Sequence, residues 1–152
     1  MNLEGINESQ QDQTLFQALG GRSVLERVHK VFYDKLYEHP WLGQFFHDIE
    51  QELVENQQTD FMVSNMGGGK IYQGRFPKPA HMHMYITDEL FDLRNRLLAD
   101  SLRECGVAED LAERWLKIDR AFKHSMVKQN VSECEKRFFT DDLKIYHKPG
   151  NL

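Results

Sequence analysis

Apolar residues recur at three- and four-residue intervals along most of the chain, which is the spacing of amphipathic helices. Within residues 24–37 they stand at positions 25, 28, 32 and 36. A second such stretch is predicted to be one helix over residues 109–128, with an inner face formed by Leu111, Trp115, Ile118, Phe122 and Met126. No strand-like alternation of any length occurs, so the pattern predicts an all-α fold.

Cap residues and glycines set the predicted helix boundaries. In segments 23–26 and 48–51 a Ser or Asp precedes Glu or Gln by three residues, the spacing of a capping box, so a helix is predicted to begin at each. Glycines 67–69 end the second of these helices, and a further helix runs from a cap at Thr87 to Gly106. These helices are consistent with a four-helix bundle or a compact globin.

A short segment before Thr87 places a single histidine, His81, among hydrophobic residues. Proline is tolerated in the first turn of a helix, so the segment can be helical from about Pro79. This is the setting that an axial ligand of a buried iron needs. A histidine on an apolar face is also, and more often, a packed core residue, so the segment alone leaves both interpretations open.

Composition narrows the class of protein. The 152 residues are 40% hydrophobic and 28% charged, with a net charge of -5, which is typical of one globular domain. The chain has no block of Lys and Arg of the kind that nucleic acid needs, and no apolar run near the ~20 residues of a membrane span. The polar start lacks signal-peptide features, and two cysteines make no disulfide framework. A cytoplasmic protein is expected.

Common catalytic motifs are missing. A di-iron bundle needs Glu-x-x-His pairs on two helices, and the sequence does not supply two. It also contains no His-Glu-x-x-His motif, P-loop, zinc-ligand spacing or Gly-x-Ser-x-Gly elbow. Hydrolytic and phosphoryl-transfer chemistry therefore have little support.

Several short motifs follow one another in a specific order: Leu19-Gly20-Gly21, Phe32-Tyr33, Phe45-Phe46, Gly67-Gly68, Tyr72-Gln73-Gly74-Arg75, Ala80-His81, Ile86-Thr87 and Phe91. In this order and spacing the chain resembles the truncated haemoglobins, short globins built as a two-over-two helical sandwich, and most closely their first group. The resemblance implies a truncated globin domain at residues 14–130. Residues 1–13 are then a flexible N-terminal segment, and residues 131–152 are a C-terminal extension.

The resemblance also implies haem b as the cofactor, with His81 as the proximal iron ligand. Tyr33 and Gln58 match distal positions whose polar groups hydrogen-bond the bound ligand, although both could instead find partners elsewhere in the protein. The implied cofactor contacts are Phe46, Val54, Phe61, Met62, Met66, Met84, Ile86, Phe91, Ile118 and Phe122, with Tyr72, Arg75 and Lys78 near the propionates. His83 is expected at the surface or at the haem edge.

Arg94 departs from the family's pattern. It stands thirteen residues after His81, where the first group has an apolar residue and the other groups have tryptophan, and it lies within the apolar stripe of its helix. Burying an arginine is costly unless it is paired. One interpretation is an ion pair with Asp119; the other is that Arg94 reaches the ligand cavity or a propionate and favours anionic ligands.

The expected function is that of a haem protein that binds dioxygen, nitric oxide and carbon monoxide, in oxygen binding or transport. Its expected turnover is oxidation of nitric oxide to nitrate, with an external reductase restoring ferrous iron. The alternatives are a gas or redox sensor whose tail after Val131 contacts a protein partner, and a peroxidase-like or nitrite-reducing protein that uses Arg94. A haemless helical adaptor is disfavoured by the presence of His81.

Overall fold

The computed structural model describes residues 13–152. Its elements are α1 at Leu15–Leu19, α2 at Arg22–Glu38, a first 3-10 helix at Leu42–Phe46, α3 at Gln51–Asn65, α4 at Pro77–His81, α5 at Asp88–Glu104, α6 at Glu109–Ala121, α7 at Lys123–Met126 and a second 3-10 helix at Val131–Glu133. Within this part of the chain the only β contacts are isolated bridges, Met84 with Lys144 and Ile86 with Val127. The all-α prediction is confirmed.

The long helices form two packed pairs. Helix α2 packs against α3, α5 packs against α6, and contacts between α2 and α5 join the pairs. The predicted apolar face of α2 forms the centre, where Leu25, Val28, Phe32 and Leu36 are at most 1% exposed. Burying each such side chain contributes about 1.5–3 kcal/mol. The result is the two-over-two arrangement that the resemblance implied.

The two predicted capping boxes are wrong. Helix α2 begins one residue before Ser23, because Gly21 at φ 92 turns the chain into the helix as its N-cap. Helix α3 has Glu50 as its N-cap without a side-chain bond. The carboxylate of Asp48, expected to cap it, instead accepts a hydrogen bond from Lys144 Nζ at 2.7 Å. By contrast, the Thr87 hydroxyl caps α5 as predicted, accepting from Leu90 N–H at 3.2 Å.

A capping box that was not predicted, although Thr14 and Gln17 have the required spacing, holds α1. Thr14 Oγ1 accepts from Gln17 N–H, and the Gln17 side chain accepts from Thr14 N–H. Helix α1 then packs on the end of α3, where Phe16 N–H donates to Met66 O at 3.0 Å. This approach requires Gly68, since a Cβ there would lie 2.7 Å from Val63 and 2.8 Å from Phe16.

The single helix predicted over residues 109–128 is also wrong. Helix α6 ends at Ala121 and the short α7 follows after Phe122. At the break, Phe122 N–H donates to Asp119 O at 3.2 Å, which is the tighter bonding of a helix end. The Phe122 ring packs 5.1 Å from that of Phe61 on α3, so a tertiary contact accompanies the break in the helical pattern.

His29 is a buried polar link between helices that the sequence did not single out. It is 1% exposed on α2. Its Nδ1 lies 2.7 Å from Thr59 Oγ1 on α3, and its ring meets Trp115 of α6 edge-on at 5.6 Å. Burial lowers the pKa of His29 to about 3, with a smaller contribution from the charge of Arg94. The imidazole is therefore neutral in the folded protein at pH 7.

The predicted flexible segment 1–13 lies, apart from its last residue, outside the described residues. Among the helices of residues 13–152, none combines the length and the hydrophobicity that crossing a bilayer requires. The division at residue 130 stays a prediction.

His29 makes stability depend on pH. In the unfolded chain it takes up a proton below its ordinary pKa of about 6.5, whereas the folded state resists protonation down to about pH 3. Stability is therefore lost as the pH falls below about 6.5. Between pH 7 and pH 5 we expect the wild type to lose roughly 2 kcal/mol more of its unfolding free energy than His29→Gln does. Urea unfolding of both proteins at the two pH values measures this, and equal losses would contradict it.

Candidate functional site

A partly open cavity of about 80 Å³ lies between α2, the first 3-10 helix, α5 and the loop that follows α4. Its lining consists of eight apolar residues and two polar ones, His81 and Arg94. The apolar residues are Leu36, Leu42, Phe45, Phe46, Met84, Ile86, Leu90 and Met126. A mostly apolar cavity with a few convergent polar groups is the usual form of a small-molecule or cofactor site.

Helix α4 presents His81 to this cavity with one tautomer fixed. The five-residue helix starts at Pro77, which needs no N–H partner in the first turn. One turn later, His81 Nδ1 lies 2.7 Å from Pro77 O. Because a carbonyl oxygen only accepts, Nδ1 must carry the proton, and Nε2 then keeps its lone pair.

The His81 imidazole is also neutral. Burial lowers the pKa of His81 to about 4, although the bond to Pro77 O opposes this; the charges of Arg94 and Lys128 lower it further. A metal ion binds neutral imidazole, and a hydrogen bond from the second ring nitrogen orients such a ligand. Both conditions hold at His81 at pH 7 before any metal binds.

Arg94 belongs both to an ion pair and to the cavity. Its Nη1 lies 2.7 Å from Asp119 Oδ2, with the two side chains 16% and 6% exposed, and Asn95 Nδ2 donates to the same oxygen at 3.1 Å. The guanidinium lies over the rings of Phe32 and Phe91 at 5.3 and 5.7 Å. Burial works against its charge, but Asp119 outweighs this and the pKa of Arg94 is raised. The predicted pair with Asp119 is therefore present, and Arg94 still lines the cavity.

The predicted distal residues, Tyr33 and Gln58, lie outside the cavity lining. Tyr33 is 5% exposed, and its ring meets that of Phe46 edge-on at 6.0 Å. Burial raises the pKa of Tyr33, so its hydroxyl stays protonated and can donate. Gln58 is half-buried on α3. Neither residue lines the cavity, and their contact with a ligand stays a prediction.

Three of the predicted cofactor contacts, Phe46, Met84 and Ile86, line the cavity. The others lie outside its lining: Val54, Phe61, Met62, Met66, Tyr72, Arg75, Lys78, Phe91, Ile118 and Phe122. Two of the three expected near the propionates have other partners. The Tyr72 hydroxyl donates to Arg75 O at 2.6 Å, and the Arg75 guanidinium lies 5.1 Å from the centre of the Phe138 ring. A propionate role for them stays a prediction.

Five lining residues were not predicted as site residues: Leu36, Leu42, Phe45, Leu90 and Met126. Leu36 lies on the apolar stripe of α2. Leu42 and Phe45 belong to an apolar corner after Pro40, which also contains Trp41 and Phe46. The hydrophobic pattern marks these positions as buried, but burial in a core and burial beside a cavity give the same pattern.

The expectation that His83 lies at the surface is wrong, whereas a position at the haem edge stays a prediction. Helix α4 ends at His81, so the helical rotation that placed His83 outward does not apply. His83 is 1% exposed and does not line the cavity. Burial lowers the pKa of His83 to about 4, and within residues 13–152 neither ring nitrogen has a hydrogen-bond partner. The C-terminal extension covers it, with Lys144 N–H donating to His83 O at 2.8 Å.

The residues around the cavity fit an iron porphyrin. His81 offers one nitrogen lone pair, and the apolar walls suit the faces of a flat macrocycle. In the described part of the chain no three His, Cys, Asp or Glu side chains converge as a metal site. A cavity of about 150 Å³ admits benzene. At about 80 Å³, lining side chains must turn outward to admit a porphyrin.

Comparison with known proteins agrees with this geometry. The profile of the bacterial-like globin family matches residues 14–128. The group 1 truncated haemoglobin of Tetrahymena pyriformis is 29% identical over 106 residues, which cover 70% of this chain and 88% of that protein. That of Synechocystis is 29% identical over 102 residues, covering 64% and 82%.

Solved structures show the same fold. The Fe(III) form of the Tetrahymena pyriformis truncated haemoglobin superposes with a TM-score of 0.70 at 27% identity, over 77% of this chain and all of that one. The 2/2 haemoglobin from Synechococcus, in the cyanomet state and with covalently attached haem, gives 0.68 at 26% identity, over 74% of this chain and 95% of that one.

Proposed function

The chain belongs to the bacterial-like globin family and is a truncated haemoglobin with a role in haem-based ligand binding, and we propose that it uses haem b to bind dioxygen and to oxidise nitric oxide to nitrate. An external reductase would restore the ferrous iron. The expected cytoplasmic location belongs to the same proposal.

The observation that carries the proposal is the state of His81. Its Nδ1 is committed to Pro77 O, its pKa is about 4, and it lines an apolar cavity. When bound there, haem supplies the reversible binding of diatomic gases and the redox chemistry of its iron. His81 would hold the cofactor, and Phe46, Met84 and Ile86, which line the same cavity, would help to exclude water from it.

Tyr33 supports the nitric oxide dioxygenase assignment. A hydroxyl donor near the cofactor would stabilise dioxygen, which would gain negative charge on ferrous iron, more than carbon monoxide, which would gain little. Tyr33 keeps its proton because burial raises its pKa. Its ring packs edge-on against Phe46, which lines the cavity. Gln58 on α3 offers a second donor.

His81→Ala tests the cofactor. It removes the nitrogen ligand, so we expect the purified variant to lose the five-coordinate ferrous spectrum and its carbon monoxide complex, which the wild type should show. Absorption spectra of the ferric, ferrous and carbon monoxide forms measure this. His124→Ala, an exposed histidine on α7, is the matched control and should match the wild type. Wild-type spectra in His81→Ala would refute the proposed ligand.

Tyr33→Phe tests the distal donor. A hydrogen bond to a charged group is worth about 1.5–3 kcal/mol, so dioxygen should dissociate from the variant at least about tenfold faster. Consumption of nitric oxide by the variant should slow under limiting dioxygen, because less of the protein then carries dioxygen. Stopped-flow dissociation of dioxygen and of carbon monoxide separates a lost hydrogen bond from a reshaped cavity, since only the former spares carbon monoxide. Unchanged dioxygen dissociation would remove Tyr33 from the mechanism.

Arg94 supports a second candidate function, reduction of nitrite. Among the described residues, it is the one cationic side chain in the cavity lining. A guanidinium has five N–H donors, of which Asp119 engages one. The remaining donors are available to hydrogen-bond a small anion in the cavity. This capacity distinguishes the cavity from a wholly apolar one, which would favour neutral gases.

The charge pair allows a test in both directions. Asp119→Asn keeps the cation and removes its counter-charge, so azide and nitrite should bind the ferric protein more tightly than in the wild type. The double variant Arg94→Met with Asp119→Asn removes the cation without leaving a buried carboxylate, and anion affinity should fall about tenfold or more. Ferrous carbon monoxide affinity is the neutral-ligand control. Equal anion affinity in all three proteins would exclude Arg94 from ligand selection.

A further inference from the structure

Residues 131–152 lie outside the stretch that matches the globin family, which ends at residue 128. They nevertheless pack on two walls of the cavity. One wall is the first 3-10 helix, with Phe45 and Phe46; the other is the loop 82–86, which follows His81 and carries Met84 and Ile86. The extension thus spans the two segments that would flank one edge of the cofactor.

Lys144 makes the central contacts between these walls. It is 8% exposed. Its backbone N–H donates to His83 O at 2.8 Å, and its carbonyl accepts from Tyr85 N–H at 2.9 Å. Its ammonium group donates to Phe45 O at 2.8 Å and to Asp48 Oδ1 at 2.7 Å. One residue therefore ties the loop after His81 to the opposite wall.

Further contacts extend this connection along the tail. Trp41 Nε1 donates to Tyr146 O at 2.9 Å, and the Tyr146 ring meets that of Phe45 edge-on at 4.8 Å. Glu135 N–H donates to Met82 O at 2.8 Å. Between these points the tail is bent by Arg137 and Asp141, whose guanidinium and carboxylate form two hydrogen bonds of 2.9 Å.

A second lysine, Lys128, holds the end of α4 itself. Its ammonium group donates to the carbonyl oxygens of His81 at 2.8 Å, Met84 at 2.7 Å and Met126 at 3.2 Å. Its backbone N–H donates to Ile86 O at 2.8 Å. A cation at the carbonyl end of a helix satisfies groups that have no partner within the helix.

These outside contacts matter because α4 cannot hold itself. A helix of five residues is far below the ~12–15 residues at which an isolated helix becomes even marginally stable in water. Within residues 13–152, the loop after it forms isolated β-bridges but no strand. The direction of the His81 imidazole therefore depends on the groups that bond the carbonyl oxygens of residues 81–84. Lys128 and the extension supply these groups.

We propose that Lys128 and Lys144 are positioning residues, and that with the extension they form a clasp which fixes the direction of the His81 imidazole and slows escape of the cofactor between the two walls. This inference rests on the proposed function, because it takes His81 as the iron ligand. It assigns the extension a structural role at the haem site.

The test compares Lys128→Met and Lys144→Met with Lys148→Met in the protein as purified. Lys148 is the matched control, since it lies in the same extension but its pair with Glu89 is exposed. Three quantities are measured: the iron–histidine stretching band of the ferrous protein by resonance Raman, the rate of haem transfer to excess haem-free myoglobin, and amide hydrogen exchange of residues 82–86. The urea unfolding midpoint monitors global stability.

We expect both clasp variants to shift or broaden the iron–histidine band, to lose haem at least about tenfold faster and to exchange residues 82–86 faster, while Lys148→Met matches the wild type. Lys128→Arg keeps the charge and the donors and should restore the band. Wild-type values in both Met variants would overturn the clasp. The clasp would also be overturned if the Met variants lowered the urea unfolding midpoint and raised the hydrogen exchange of α2 as much as that of residues 82–86.

The two proposals fail in different ways. If His81→Ala keeps the haem spectrum, the proposed ligand is wrong, and the positioning of an iron ligand is overturned with it. If His81→Ala loses that spectrum but the clasp variants keep the wild-type band and haem transfer rate, only the clasp is wrong.

Discussion

The hydrogen bond between His81 Nδ1 and Pro77 O is the contact on which the site depends. It joins the first and last residues of a five-residue helix. Because the bond links an imidazole to the carbonyl four residues earlier, no shorter helix could contain it. That bond sets the tautomer, and the apolar surroundings set the neutral charge state. A metal ligand needs both together, because either the other tautomer or a protonated ring would leave no lone pair at Nε2.

Arg94 is the main exception to the apolar character of this interior. A buried guanidinium is costly without a partner, and here a carboxylate and two aromatic faces contact it. The Asn95 amide donates to the same carboxylate. The charge of Arg94 lowers the pKa of His81 and of His29. It therefore helps to keep both imidazoles neutral. Arg94 contributes to the electrostatics of the whole core, whether or not a ligand ever touches it.

The sequence predicted the parts of this structure that have a local or periodic signature. His81 after paired prolines, the apolar corner at Phe45 and Phe46, and the partner of Arg94 could all be predicted from residue types and spacing. The contacts of Lys128 and Lys144 could not, because their main acceptors are backbone carbonyls, which every residue has. The capping predictions at Ser23 and Asp48 failed for a related reason. In the first case a glycine turn starts the helix, and in the second a lysine distant in sequence bonds the Asp48 carboxylate.

The position of the extension also bears on the sensor alternative. A tail that contacts a partner and leaves the cavity walls untouched would need its apolar groups on the outside. Phe139 is 95% exposed and Phe138 48%, whereas Lys144 and Tyr146 face inward onto the 3-10 helix. A partner that bound the exposed rings by displacing the tail would break the contacts to His83 and Tyr85. By linkage, cofactor or ligand binding would then change the affinity for that partner by the same factor. Signalling by displacement of this tail would therefore be coupled to the haem site.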